Sequence, residues 1–555
     1  MVGLCLATLL LGVPQTSVDT SYRWFSLTAN LQQPPDLDKA IRTIDAAAND
    51  GYNGVVFRDP SLDSLTSISP AYKAALEQAV AEARKNKMEF IPSIAAIGDS
   101  ENILDRNPSL AESMPCRDVR FTITNGQLKP SDPVTPVVNG GLETFAGELP
   151  TGFTGAHGTD MTMAADNATH HGGAMALRVD GLATALAGKG GVSLRQSIAV
   201  RPWHQYRLSV WTKATATKGA KVLLNALGAA GQFLNSTEWH NTPDWVKNDT
   251  VFDSLGESQI TMEILVQPLP NAKIWIDDLT LEDVGIMNVT RRDDCPVVIK
   301  GDDGIFYNEN IDVAQIADPF HVAGMGPGHI DGSHAIPFAV PGTNGRLHEG
   351  QTVLMDYYAA VLANGVPVLC VNEPKSKALI KADIKRVIDL IHPKTLLFDV
   401  ADVRSLGWDP ACEGTGKNGG EMLGGLIRDE EAMAKSFDPS IQIATYGDMF
   451  NPSQNSLDQY YLMKSGTTGS LRSVPKDVII VNGDFAHASQ SLTFFAQAGY
   501  KQILWGYRDD HDAMAQIVQW QKLGAGVKGI QGFGYATQVD DYSHLADFVQ
   551  AATGK

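Results

Sequence analysis

Several features that mark common protein classes are missing from this sequence. Its 555 residues include only five cysteines, and no two of them form a CxxC pair, so neither a zinc knuckle nor a redox motif is supported. Walker, nucleophile-elbow and HExxH patterns are absent as well. The segment 524–529 matches GxGxxG, but it precedes a predicted strand instead of following one. We therefore exclude it as a nucleotide-binding loop.

An excess of positive charge is also missing. The net charge of −19 would repel the phosphates of nucleic acid, so a nucleic-acid partner is excluded. A hydrophobic content of 43% with 19% charged residues is typical of a folded protein, and the length predicts two to four domains.

Long apolar runs are scarce, and the start of the chain is the nearest to one. The sequence MVGLCLATLLLGVPQTS resembles the apolar core of a secretion signal, although it lacks a basic leading region. It is too short to span a membrane as a helix. We interpret residues 1–18 as a signal-peptide remnant and predict a secreted or periplasmic protein, with a buried first segment as the alternative. Sequence leaves open whether any cysteines pair.

Both ends of the remaining chain alternate between strand-like and helix-like segments. Short apolar runs begin at residues 22, 54, 89, 395, 441, 478, 502 and 529, and amphipathic helices follow most of them. Such alternation indicates βαβ units and a parallel sheet. Eight repeats predict a (β/α)8 TIM barrel, with its first part in 19–132 and its second part in 351–555.

Residues 133–284 interrupt this alternation with short strand-like runs such as SLRQSIAV and QITMEILVQ. This pattern predicts an all-β sandwich. Its VVNGGLE, IAVRPWHQYRLSVWTKA and WIDDLTLE segments resemble strands of jelly-roll carbohydrate-binding modules. The resemblance implies a structural calcium ion held by Glu143 and Asp277, with solvated carboxylates as the alternative. We predict that Trp239 contacts ligand and that three other tryptophans are core residues (Trp211, Trp245 and Trp275).

The segment 285–350 is predicted to form a hairpin followed by a glycine-rich loop. The loop carries His321, His329, Asp331 and His334, which are residue types that bind metal ions. Their spacing is not that of a tight metal motif, so incidental histidines are the alternative.

The segment 366–408 is the one around which the barrel chemistry is predicted to form. Helical spacing of apolar residues over 375–391 ends at His392-Pro393, and the run TLLFDV then forms the fourth barrel strand. Asp402 and Arg404 follow where the strand ends, on the side of a barrel where active sites lie. The ends of the other strands supply further polar and aromatic side chains: Arg58, Tyr446, Asp448, Asn482, Asp484, Trp505, Tyr507, Asp509, Tyr535 and Gln538.

Five blocks of the second half form a recognisable series: EPKSKALIKADIKRVIDLIHPKTLLFDVADVRSLGWD, GDMFNPSQNSLDQYYL, DVIIVNGDF, YKQILWGYRDD and GYATQVDDYSHLADF. These blocks resemble family 20 glycoside hydrolases and their uncharacterised bacterial relatives. By position, the resemblance implies that Asp402 replaces the glutamate that is the family's general acid. It implies likewise that Ala401 replaces the aspartate that orients the substrate. Gln538 stands where the family has a tryptophan, and the family's first-strand arginine is not evident.

Carboxylates and aromatic rings around one barrel mouth are what glycoside hydrolysis requires. We therefore predict a glycosidase of a carbohydrate substrate that needs no catalytic cofactor. Asp402 would be the acid and Asp448 the second carboxylate, with Glu373 or Asp356 as substitutes. One alternative is a barrel that has lost catalysis and binds carbohydrate. The other is a metal-dependent hydrolase that uses the histidine loop.

Overall fold

The fold is described from a computed structural model of the chain. It covers residues 18–63, 68–182, 191–215, 221–240, 242–267, 270–326, 330, 332–507, 513–537 and 539–553. The predicted leader, His329, Asp331, Asp509 and Gln538 lie outside the described residues, as do the side chains of Trp239 and Tyr507. No helix among the described residues is long and apolar enough to cross a membrane.

Eight parallel strands close into a barrel in sequence order. They are β1 (Tyr22–Thr28), β2 (Gly54–Arg58), β3 (Glu89–Ile94), β4 (Thr395–Phe398), β5 (Gln442–Tyr446), β6 (Ile479–Asn482), β7 (Lys501–Tyr507) and β8 (Ile530–Ala536). Side chains from alternate positions fill its interior, among them Trp24, Leu397 and Trp505. The barrel interior is therefore a packed core.

Helices pack outside this barrel. They are α1 (Pro34–Asn49), α2 (Pro70–Lys85), α3 (Glu101–Leu104), α4 (Pro374–Ile391), α5 (Pro410–Glu413), α6 (Gly419–Phe437), α7 (Ala488–Gln497), α8 (Ala513–Gly524) and α9 (Leu545–Thr553). The connection from β5 to β6 contains no α-helix, but only two short 3-10 turns, Asp448–Phe450 and Ser470–Ser473, and the two-residue strand Leu462–Met463. The predicted (β/α)8 repeat is thus interrupted at this connection, which carries Asp448 itself.

Helix α4 has the boundaries that its sequence favours. Pro374 occupies the first turn, and the Glu373 carboxylate accepts hydrogen bonds from the amides of Lys375 and Ser376. His392 ends the helix in a left-handed conformation with φ of 46°. Because Pro393 cannot continue a helix, the chain turns directly into β4.

The long connection between β3 and β4 contains the predicted sandwich. One five-stranded sheet has the order Val246–Asp253, Gln205–Ala214, Lys273–Asp283, Ala176–Gly181, Met161–Asp166. The other has the order Phe233–His240, Lys221–Gly228, Gln259–Val266, Val192–Ala199, Thr154–His157. Their inward-facing apolar side chains form one shared core.

A third antiparallel sheet lies between sandwich and barrel in sequence, and it was not predicted. Its strand order is Phe306–Tyr307, Val298–Gly301, Thr352–Ala360, Ser113–Thr124, Gln127–Pro130. The predicted hairpin supplies two of these strands. The segments 113–130 and 352–360, which we assigned to the barrel, belong to this sheet instead, so both predicted barrel boundaries extend too far into the insert.

Of the three tryptophans predicted as core residues, only Trp275 is buried. Trp211 and Trp245 are partly exposed, and both contact the ring of His171, Trp211 by stacking at 3.8 Å between ring centroids. The sandwich thus presents a small aromatic cluster at its surface.

Candidate active site

A pocket of about 750 Å³ opens at the carboxyl ends of the barrel strands. This volume is within the range of small-molecule sites. Six residues predicted from strand ends line it: Arg58, Asp402, Arg404, Tyr446, Asp448 and Trp505. A second pocket of about 1090 Å³ lies at residues 18–23 and helices α8 and α9. It contains Asp50 but no second carboxylate, so the barrel-mouth pocket is the better candidate for chemistry.

Asp448 is the carboxyl group in this pocket with the most unusual environment. It lies two residues after the end of β5 and is partly buried, with its Oδ1 atom shielded from solvent. Its Oδ2 accepts hydrogen bonds from the Asp402 amide at 3.3 Å and from Asn455 Nδ2 at 3.1 Å, while Oδ1 has no partner among the described residues. Burial, and then the nearby charge of Asp402, raise the pKa of Asp448 to about 7. This carboxyl group can therefore carry a proton near neutral pH.

Asp402 differs from Asp448 in its exposure and partners. Its side chain is 57% exposed, and its Oδ2 lies 3.2 Å from the Arg404 guanidinium. Tyr460 donates a hydrogen bond to Oδ1 at 3.5 Å. The Arg404 guanidinium lies in turn over the ring of Tyr461, 5.3 Å from its centroid. Asp402 is therefore a solvent-exposed carboxylate held by a cation and a hydroxyl group.

The backbone brings these two aspartates together through a tight turn. Asp402 has a φ of +56°, a left-handed conformation that aspartate tolerates better than most residues. Gly98 packs against this turn so closely that a Cβ atom there would lie 1.9 Å from the Ala401 carbonyl oxygen. Because the Asp402 amide contacts the Asp448 carboxylate directly, we expect the two carboxylates to lie within about 8 Å of each other.

The pocket contains a second arginine, Arg58. The Arg58 guanidinium lies 3.8 Å from the carboxylates of both Asp99 and Asp399. Asp399 directly follows β4 and is buried, which raises its pKa, although the charge of Arg58 acts in the opposite direction. Asp99 and Asp399 line the pocket, and neither was predicted as a site residue. Asp540, which forms an ion pair with Lys39, also lines it.

Two predicted substitutes for the second carboxylate do not line the pocket. Glu373 is the N-cap of α4, and Asp356 lies in the third antiparallel sheet, where it accepts a hydrogen bond from the Asp118 amide at 2.7 Å. Both carboxylates therefore accept hydrogen bonds from nearby backbone amides.

Three further predicted residues lie behind the pocket wall. Asn482 bonds to Gln502 and Ser491, and Asp484 accepts from Asn451 Nδ2 at 2.8 Å. Tyr535 is fully buried. These side chains support the strand ends instead of facing the pocket. Tyr446, by contrast, is partly exposed in the pocket, and the buried Trp505 packs edge-to-face against it with ring centroids 6.3 Å apart.

The two carboxylates of the predicted calcium site hold a loop of the sandwich. Glu143 accepts the Ala174 amide at 2.9 Å, and Asp277 accepts the His171 amide at 2.7 Å. Among the described residues, neither belongs to a cluster of metal-ligating groups. The calcium ion stays a prediction.

The histidine loop is only partly described. His334 Nε2 lies 3.4 Å from Asp318, and its ring stacks on Phe320. Neither His321 nor His334 belongs to a metal-type cluster in the part of the chain that is described.

Comparisons with known proteins leave the family open. No protein-family model matches the chain, and no curated protein matches it. The resemblance to family 20 glycoside hydrolases therefore stays a prediction.

Solved structures match about a quarter of the chain. A family 61 carbohydrate-binding module (TmCBM61), solved with β-1,4-galactotriose, is 20% identical, with a TM-score of 0.22 over 26% of this chain and 95% of that one. The CBM22-1 xylan-binding domain of Paenibacillus barcinonensis Xyn10C is 16% identical, with a TM-score of 0.20 over 25% and 88%. The active domain of bacteriophage CBA120 tailspike protein 4 is 16% identical, with a TM-score of 0.22 over 27% and 21%. Likenesses this slight carry no conclusion about the ligand of this chain.

Proposed function

We propose that this protein is a glycoside hydrolase whose active site is the barrel-mouth pocket. The observation that supports it most is the pairing of Asp448, a partly buried carboxyl group with a raised pKa, with Asp402, an exposed carboxylate bound to Arg404. Glycosidases require two carboxyl groups in different protonation states on either side of the scissile bond. Tyr446 adds a partly exposed aromatic ring against which a sugar ring can stack.

The proposed roles are the reverse of those predicted from sequence. Asp448 is protonated near neutral pH and gives its proton to the glycosidic oxygen as the bond to the leaving group breaks. The Asp402 carboxylate stabilises the positive charge that develops at the anomeric carbon, until a water molecule attacks that carbon and gives a proton back to Asp448. Arg404 and Tyr460 hold the Asp402 carboxylate in place.

Acetamido-assisted cleavage is not part of this proposal. The family that the sequence resembles orients the substrate's acetamido group with an aspartate, and the corresponding pocket residue here is Ala401. The same observation favours the second candidate function, a barrel that binds a glycan without cleaving it.

Aryl glycosides with leaving groups of graded acidity test the proposed roles. We expect Asp448→Asn to lower kcat/KM by about 10²- to 10⁴-fold for poor leaving groups, which require protonation, and far less for dinitrophenyl glycosides. Asp402→Asn should slow both classes. Asp458→Asn, an exposed aspartate on the same connection, is the matched control and should change neither. A loss in Asp448→Asn that is equal for all leaving groups would overturn the assignment of the acid.

A further inference from the structure

Four buried side chains with metal-ligating atoms meet outside the barrel-mouth pocket. They are Glu112, Cys370, Asp409 and Cys412, and one ligand atom from each lies within 4.8 Å of all the others. Each of these residues is at most 2% exposed. Glycoside hydrolysis as proposed above makes no use of them.

The spacing of these atoms is that of a tetrahedral zinc site. A zinc ion with Zn–S bonds of about 2.3 Å holds two sulfurs about 3.8 Å apart and a sulfur and an oxygen about 3.5 Å apart. The Sγ atoms of Cys370 and Cys412 are 3.7 Å apart, and Cys412 Sγ lies 3.3 Å from Glu112 Oε2. A disulfide would need its two sulfurs about 2.05 Å apart, much closer than they are here.

The charge of the cluster also points to a cation. Two carboxylates and two thiols are buried together, and the guanidinium facing them is that of Arg292, which forms an ion pair with Asp409 at 2.5 Å. Buried anionic groups are costly unless they are paired or bind a metal. Thiolates favour zinc over the harder calcium and magnesium ions.

The four residues come from three segments that meet where the insert joins the barrel. Glu112 precedes the strand Ser113–Thr124, and Cys370 precedes α4 as the chain returns from the insert. These two segments are already paired, since the Glu112 amide bonds to the Val368 carbonyl at 2.7 Å. Asp409 and Cys412 lie in the turn and short helix α5 that follow the active-site loop.

We propose that Glu112, Cys370, Asp409 and Cys412 bind one zinc ion, which clamps the two ends of the insert to the segment that follows Asp402. The ion is structural, because all four positions are filled by protein and none is left for substrate. Arg292 supports the Asp409 carboxylate from outside the metal. This site does not depend on the proposed glycosidase activity.

Metal content of the full-length protein tests the proposal. Protein folded with zinc under reducing conditions and then desalted should carry about one zinc per chain by plasma mass spectrometry. Cys370→Ser and Cys412→Ser should each retain less than a tenth of that. Cys116→Ser, at a buried cysteine that instead contacts Asp253, is the matched control and should bind zinc as the unaltered protein does.

Cobalt substitution keeps the test decisive if a cysteine variant does not fold. The unaltered protein with cobalt should show a thiolate-to-cobalt charge-transfer band and tetrahedral d–d absorption. Absence of both bands, zinc content unchanged in Cys370→Ser, or a Cys370–Cys412 disulfide in protein isolated without reductant would each overturn the proposal.

Discussion

Replacing Asp448 with asparagine should make the protein more stable at neutral and alkaline pH. The pKa of Asp448 rises from 3.8 to about 7 on folding, chiefly through burial. The folded state therefore binds more protons than the unfolded state between these two values. The contribution of Asp448 to the free energy of unfolding is therefore fully present below about pH 4. It falls as the pH rises and is lost above about pH 7. Asparagine resembles the protonated carboxyl group and cannot ionise.

The size of the effect follows from the shift. A difference of about three pKa units corresponds to at most about 4 kcal/mol in the free energy of unfolding. The free energy of unfolding of Asp448→Asn should equal that of the unaltered protein at pH 4 and should exceed it by a few kcal/mol at pH 8. Asp63 and Asp253 also have a pKa raised to about 7 by burial. Their contributions are the same in both proteins and cancel in the comparison.

Urea unfolding followed by tryptophan fluorescence provides the assay, since Trp24 and Trp505 lie inside the barrel. Both proteins should be compared from pH 4 to pH 8, with Asp458→Asn as an exposed control. A variant that is less stable than the unaltered protein at pH 8, or a difference that is the same at every pH, would refute the assignment of a buried, protonated Asp448.

Three further substitutions test other parts of the site and fold. Gly98→Ala places a Cβ atom against the Ala401 carbonyl, so the active-site turn must shift. We expect kcat/KM to fall at least tenfold, and an unchanged value would mean that the turn is not tightly fixed. Glu373→Ala removes the N-cap of α4. It should lower the free energy of unfolding in urea by about 1 kcal/mol and leave kcat unchanged, whereas a loss of kcat would restore the predicted catalytic role of Glu373. Arg106→Met removes both Arg106 bonds to the buried Asp383 carboxylate and leaves it the bond from Arg386 at 3.1 Å. It should cost about 2 to 3 kcal/mol by the same measurement, and a cost below 1 kcal/mol would mean that the pair is not effectively buried.

Sequence was most informative about the barrel. The predicted strand starts at 395 and 441 compare with Thr395 and Gln442 in the structure, because a buried parallel strand is a short apolar run with clear ends. The sandwich was predicted for a similar reason, since its alternating runs have a period of two residues.

The third sheet was missed because its central strands pair across the whole sandwich. Ser113–Thr124 bonds to Thr352–Ala360, and a local pattern does not reveal the partner of a strand that is so distant in sequence. Each of these segments adjoins a predicted part of the barrel in sequence, and for this reason it was assigned to the barrel.

The site residues were predicted by their position at strand ends, but their roles were not. Asp402 and Asp448 both follow apolar runs, and only the structure shows that Asp402 is exposed whereas burial raises the pKa of Asp448. Asp399 was missed because it lies inside the run TLLFDV, where a carboxylate would be costly without Arg58 nearby.

Cleavage of glycans by the unaltered protein and by Asp448→Asn is the most direct test of the proposed function. Both proteins would be incubated with a library of oligosaccharides, and bound and released products would be identified by mass spectrometry from pH 5 to pH 9. We predict that the unaltered protein cleaves a glycan and that cleavage declines as the pH rises through about 7, where Asp448 loses its proton. Asp448→Asn should bind the same glycan and leave it intact. A glycan bound but not cleaved by the unaltered protein would contradict the proposed catalysis.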